Sequence, residues 1–219
     1  MTRATARQLA AMDLYANLME EAKARLVSIQ TVVNERKFPA QIIREFAYLQ
    51  LRMLCELIAL GCLVAHGDIK ATQTKKLREE HKAGKIVAAL ETLHPNFYPQ
   101  PYAQTVVPGG FQLAPLQKSF LTKRELMILH GRCGDYLHRG SLDRLLSSSV
   151  APAKQRGFSD IVTWTKDVDN LLSFHALALF DEDIRFVCML RNADDGGRVQ
   201  VLFIERQHEP PKSPRSSHG

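Results

Sequence analysis

Cysteine is scarce in this 219-residue chain. Cys55, Cys62, Cys133 and Cys188 are the four, and no two of them form a C-x-x-C pair. So sparse a set, placed in apolar or regular stretches, excludes a disulfide scaffold and offers no Cys/His quartet for structural zinc. It fits reduced, buried thiols in a reducing compartment, and a cytoplasmic location is the expectation. Long hydrophobic runs are also missing. The longest, residues 57–65, lies between Glu56 and His66 and is about half of the ~20 residues that span a bilayer. The N-terminus has Arg3 and Arg7 but no apolar core of a signal peptide, and Asp13, Glu20 and Glu21 follow, so it reads as a first helix. No H-E-x-x-H or G-x-S-x-G motif occurs. Neither Gly109-Gly110 nor Gly196-Gly197 leads into the Lys-Ser/Thr of a phosphate loop. No metal or cofactor is expected, and no internal repeat is seen.

What is present is ordinary for a globular protein: 45% hydrophobic and 24% charged residues. A chain of this length buries a core without metals or disulfides. The net charge is +6, and much of the excess sits in residues 70–85, where six basic residues face two acidic ones. That balance permits a nucleic-acid partner without requiring one.

Helical periodicity dominates the first half. Leu9, Met12, Tyr15, Met19, Ala22, Leu26, Ile29 and Val33 recur at steps of three and four, which predicts an amphipathic helix over residues 5–34. Phe38-Pro39 breaks it. Residues 40–66 predict a second long helix, apolar on nearly all sides toward its end and therefore central to the core. Gly61 within it costs about 1 kcal/mol relative to alanine and points to a close helix–helix contact. Residues 69–94 predict two short helices, the first basic. Five prolines between 95 and 115 forbid a helix, and 105–113 with its Pro-Gly-Gly turn could form a small hairpin. Thr122 and Glu125 spell a capping box that opens another helix. Ser159 opens the last helix, whose buried side would carry Ile161, Trp164, Val168, Leu171, Leu172, His175 and Leu179. Residues 184–191 and 198–206 read as a terminal β-hairpin.

The expected fold is therefore mainly α: an up-and-down helical bundle with a small proline-rich insertion (about 95–117) and a C-terminal antiparallel β-hairpin (about 184–206). The expected organisation is one domain over residues 1–206 with a disordered tail over 207–219.

The stretch from His130 to Gly140, HGRCGDYLHRG, carries the most chemistry. Two glycines inside a helical pattern cost about 1 kcal/mol each, which a sequence accepts where a backbone must approach something. Arginine offers a permanent cation shaped for phosphate oxygens, and histidine moves protons near neutral pH. Together Arg132 and His138 could cleave a phosphodiester without metal. Six positions apart, they lie about 120° apart around an ideal helix. Convergence then needs the helix to loosen at Gly134 or a second copy across a dimer axis. Asp135, three positions from each, could link them.

An arginine followed four to six residues later by histidine, at one end of a helix in a helical bundle, resembles the signature of the HEPN superfamily. Here five residues intervene between Arg132 and His138. The resemblance implies a dimeric helical bundle. It also implies either a metal-independent endoribonuclease of toxin–antitoxin or phage-defence systems, with an RNA substrate and a protein antitoxin as partner, or an inactive binding or scaffolding module. It assigns Arg132 and His138 as the catalytic pair. The polar residue common after the arginine in that family is Cys133 here.

A plainer reading stays open: His138-Arg139-Gly140 as an ordinary helix end, with Arg132 and Asp135 as a surface pair. Glu45, Tyr48, Arg52 and Glu56 form a polar stripe on the second helix. It is either an internal Arg52–Glu56 ion pair or a support that faces Arg132 and His138 and orients them. Lys75, Lys76 and Arg78, with Arg139, are candidate RNA contacts, although a basic run is usually a solvated face. A helix-turn-helix over 69–93 is disfavoured by its apolar second half. His175 reads as a hydrogen-bonded core histidine.

Overall fold

The computed structural model describes residues 4–67, 72, 74–108, 110–137, 158–179, 184–192 and 196–205. The elements in chain order are α1 (Ala6–Glu35), α2 (Ala40–Ala65), α3 (Lys75–Arg78), α4 (Ala83–Leu93), β1 (Gln100–Val107), β2 (Gly110–Pro115), α5 (Lys123–Leu137), α6 (Phe158–Leu172), β3 (Phe174–Ala178), β4 (Ile184–Asn192) and β5 (Arg198–Glu205). The tail beyond residue 206 and the connection at 138–157 lie outside the described residues.

The expectation of a mainly α bundle with one terminal hairpin is corrected by the sheet. Five strands pair antiparallel in the order β2-β1-β3-β4-β5. The proline-rich segment does form a hairpin, with Val107 opposite Gly110 and Tyr102 opposite Pro115. It is not a separate insertion, because Gln100 and Pro101 pair with Ala176 and His175 of β3. The element that joins the two hairpins is β3, where a continued helix was expected. Residues 174–179 are apolar except for His175, so they satisfy a 3.6-residue period and a buried strand equally well. The helix ends at Leu172, and the Ser173 carbonyl accepts from Leu190 N, 3.0 Å away on β4.

Helix α1 opens with a capping box. Gln8 N donates to Thr5 Oγ1 and Thr5 N donates to Gln8 Oε1, satisfying two donors that the helix start would orphan. Its buried stripe is Tyr15, Met19, Ala22, Leu26, Ile29 and Val33. On its sheet side, α1 meets Phe186 of β4 through Tyr15, and Glu20 accepts from Val199 N of β5 at 2.7 Å. The inward side chains of the sheet include His175, Leu177, Phe186, Cys188 and Leu190, all fully buried. Helix α6 packs against β1, β3 and β4.

Helix α2 packs on α1, α4, α5 and α6. It is the one helix among the described residues long and apolar enough to cross a membrane by length and composition, and 56% of its most apolar window is buried inside the molecule. Gly61 sits where a Cβ would lie 2.9 Å from Tyr15 Cε2, the close α1–α2 contact that its place in the run predicts.

Candidate functional site

Helix α5 begins at the expected capping box: Thr122 N donates to Glu125 Oε2 at 3.0 Å, and Glu125 N donates to Thr122 Oγ1 at 3.3 Å. Its buried stripe is Leu126, Leu129 and Cys133. Burying that stripe turns Gly131, Arg132 and Asp135 to solvent and sets His130 and Gly134 against α2.

The α2–α5 seam gathers the polar stripe of α2. Tyr48 stacks on Tyr136, with ring centroids 4.2 Å apart. Glu56 Oε1 lies 3.3 Å from Arg52 Nε and 3.3 Å from His130 Nε2, so one carboxylate serves both cations or donors. The Arg52 side chain is 33% exposed and that of Glu56 25%, which places the pair at a half-wet seam rather than in the core. A Cβ on Gly134 would lie 3.3 Å from Arg52 Nη1. The glycine thus leaves room for the guanidinium. Glu45 turns aside, accepting from Gln41 Nε2 at 2.8 Å.

The Arg52–Glu56 ion pair therefore exists, and it faces His130 rather than Arg132. A carboxylate holding a histidine is an arrangement suited to proton transfer. Pattern reading did not single out His130. The available signal was its place one turn before Gly134, on the face of α5 that meets the α2 stripe.

Arg132 takes a different direction. Its guanidinium carbon lies 5.6 Å from the ring centroid of Trp164 on α6, within cation–π range, and it makes no ion pair or hydrogen bond among the described residues. Asp135 is exposed and likewise makes none there, so it does not pair with Arg132. His138 and Arg139 lie outside the described residues, as do the side chains of Lys76 and Arg78. The Lys75 side chain is 89% exposed and 4.0 Å from Glu79, the geometry of a solvated face.

No family model, curated protein or solved structure matches the chain.

The remaining chemical groups are structural. His175 lies on β3, not on a helix as its spacing suggested. It accepts from the Tyr15 hydroxyl at Nε2 (2.6 Å), while Nδ1–H donates to the Leu172 carbonyl at 3.0 Å. That assigns a neutral ring with both nitrogens satisfied. Burial pushes its pKa down to about 4, against a smaller upward pull from the Leu172 carbonyl. Burial also pushes the Cys55, Cys62 and Cys188 thiols well above their ordinary range, and Cys133 is buried as well, so none is poised as a nucleophile. His66 Nε2 and His94 Nε2 both approach the Ala178 carbonyl, at 3.0 and 3.2 Å, which fastens the ends of α2 and α4 to the end of β3. No three His, Cys, Asp or Glu side chains group as metal ligands among the described residues. A largely apolar cleft of about 270 Å³ opens between Arg7, Leu14, Val64 and Phe186. It lies about two turns along α2 from Glu56.

Proposed function

We propose that this protein is a metal-independent, HEPN-like endoribonuclease, cytoplasmic and of the toxin or phage-defence kind. Arg132 would hold the scissile phosphate and His138 would transfer protons, with Asp135 as its orienter. The observation that carries the reading is the exposed guanidinium of Arg132, which has no ion-pair partner among the described residues. It stands on the helix that leads directly to His138-Arg139 and whose other side holds the Arg52–Glu56–His130 cluster. In the reaction, the ribose 2′-oxygen forms a bond to phosphorus as its proton passes to a base. The bond to the 5′-oxygen breaks, and that oxygen takes a proton from an acid. The products are a 2′,3′-cyclic phosphate and a free 5′-hydroxyl. Arg132 would neutralise the charge that gathers on the phosphate oxygens in the transition state.

The test compares the wild type with Arg132→Ala and His138→Ala on end-labelled single-stranded RNA in the presence of a chelator. Loss of a proton-transfer group slows cleavage by about 10²–10⁴-fold, and His138→Ala is expected to fall in that range. Equal decay with all three proteins would refute the nuclease reading.

A second reading is a catalytically inactive binding or scaffold protein that acts as a homodimer. It draws on Ile42 and Leu49, which share one face of α2 and are 49% and 45% exposed. A dimer by light scattering, dissociated by Leu49→Glu, with RNA left intact by the wild type, would favour it. For a toxin-type protein, a protein antitoxin is the further partner.

A further inference from the structure

We propose that Arg132 and Trp164 together form a nucleobase-stacking platform, so that the substrate is single-stranded RNA, seated with one base on the pair and the adjoining phosphate on the guanidinium edge. This rests on the reading above that the site acts on RNA, and it adds the strand state and the residue that selects it.

Three features lead to the platform. The first is the Arg132–Trp164 cation–π pair itself. The guanidinium carbon lies 5.6 Å from the centre of the indole of a half-buried tryptophan, and the Arg132 side chain is exposed, so the pair is within reach of a ligand from solvent. Unpaired bases in single strands stack on aromatic rings and on guanidinium planes. The second is the lack, among the described residues, of any competing anion. Arg132 makes no ion pair among the described residues, and the nearest candidate on its own helix, Asp135, makes none with it. With no such partner and an exposed side chain, its N–H groups are available to a phosphate, which can take two of them.

The third feature is Gly131. It lies in the interior of α5, where glycine costs about 1 kcal/mol relative to alanine. A Cβ built there meets no atom within 4 Å. Packing thus does not require this glycine, unlike Gly134, whose Cβ would press on Arg52. An exposed glycine beside Arg132 leaves the helix backbone low at that point, which lets a sugar–phosphate chain lie close. A duplex keeps its base faces stacked internally and cannot use such a platform.

The chain contains a single tryptophan, so Trp164 emission reports on the platform directly. The probe is a single-stranded 2′-O-methyl RNA oligonucleotide, which lacks the attacking hydroxyl and stays intact. The blunt duplex of the same sequence is the comparison. Tryptophan emission is read beside the anisotropy of an end label. The single strand should quench Trp164 and the duplex should not. Trp164→Ala should weaken single-strand binding by at least about fivefold, the lower end for loss of one stacked base. Trp164→Phe, which keeps a ring and guards against a folding defect, should recover most of it. Binding by anisotropy without a change in emission, or equal binding by Trp164→Ala, would overturn the platform. The two readings fail separately. If the wild type quenches with this strand yet does not cleave unmodified RNA, the nuclease falls and the platform stands. Cleavage without quenching removes the platform alone, and a protein that neither binds nor cleaves removes both.

Discussion

The two glycines of the α5 motif look alike in the sequence and do different things. Gly134 makes room for Arg52 Nη1, 3.3 Å from where its Cβ would be, whereas Gly131 faces open space. Gly131→Ala is therefore expected to stabilise the fold by up to about 1 kcal/mol, the helix propensity gained without a clash. It should at the same time reduce RNA cleavage and single-strand binding. Urea unfolding measures the first and the labelled-RNA assay the second; a stabilised variant with undiminished cleavage would show that Gly131 has no part in substrate approach. At this scale the sequence marked a segment that meets the polar stripe of α2, but not the direction of each of its side chains. Arg132 was legible as a cation without a buried role. That Glu56 reaches His130 was not, because it depends on which face of α5 meets α2, and Leu126, Leu129 and Cys133 decide that by burial.

Among the elements, α2 carries the most structural weight, and it meets α1 closely at Gly61. A Cβ at Gly61 would sit 2.9 Å from Tyr15 Cε2 and 3.4 Å from Met19 Cε, and Tyr15 is fully buried and hydrogen-bonded. Overpacking a core costs about 1–3 kcal/mol, which exceeds the roughly 1 kcal/mol of helix propensity that alanine would add. Gly61→Ala should accordingly lower the urea midpoint with an unchanged slope, and a rise in the midpoint would mean that the helices separate without penalty. Helices α1, α2 and α5 were readable because each repeats its apolar residues at three- and four-residue steps and two of them begin at Thr-x-x-Gln or Thr-x-x-Glu boxes. The same test failed on residues 174–179, where nearly every side chain is apolar and period carries no information. Only the partner strands tell β3 from a helix, and they come from residues 100–101, distant in the chain, and from 185–189 beyond a short connection.

For the molecule as a whole, β3 is what turns two hairpins and a set of helices into one core, and its tie to α1 is a titratable one. The Tyr15 hydroxyl donates to His175 Nε2 at 2.6 Å across the helix–sheet interface, and Nδ1–H is already committed to the Leu172 carbonyl. A second proton on Nε2 would turn the Tyr15 hydroxyl from donor to acceptor, away from its present arrangement, and would charge a fully buried ring; that burial holds the pKa near 4. In the unfolded chain the imidazole titrates near its ordinary value of about 6.5. The folded value lies below the unfolded one, so between them the unfolded chain binds more protons. The stability from this group is present above about pH 6.5 and is lost as the pH falls toward 4. The span corresponds to about 3 kcal/mol. Urea unfolding from pH 7 to pH 4 should show that loss in the wild type. His175→Gln, which can still accept from Tyr15 and does not titrate, should be less stable at pH 7 but flatter across the window. Carboxylates titrate in the lower part of the range in both proteins, so the difference between the two curves isolates the histidine. Parallel curves would mean that His175 takes its proton without breaking the α1–β3 tie.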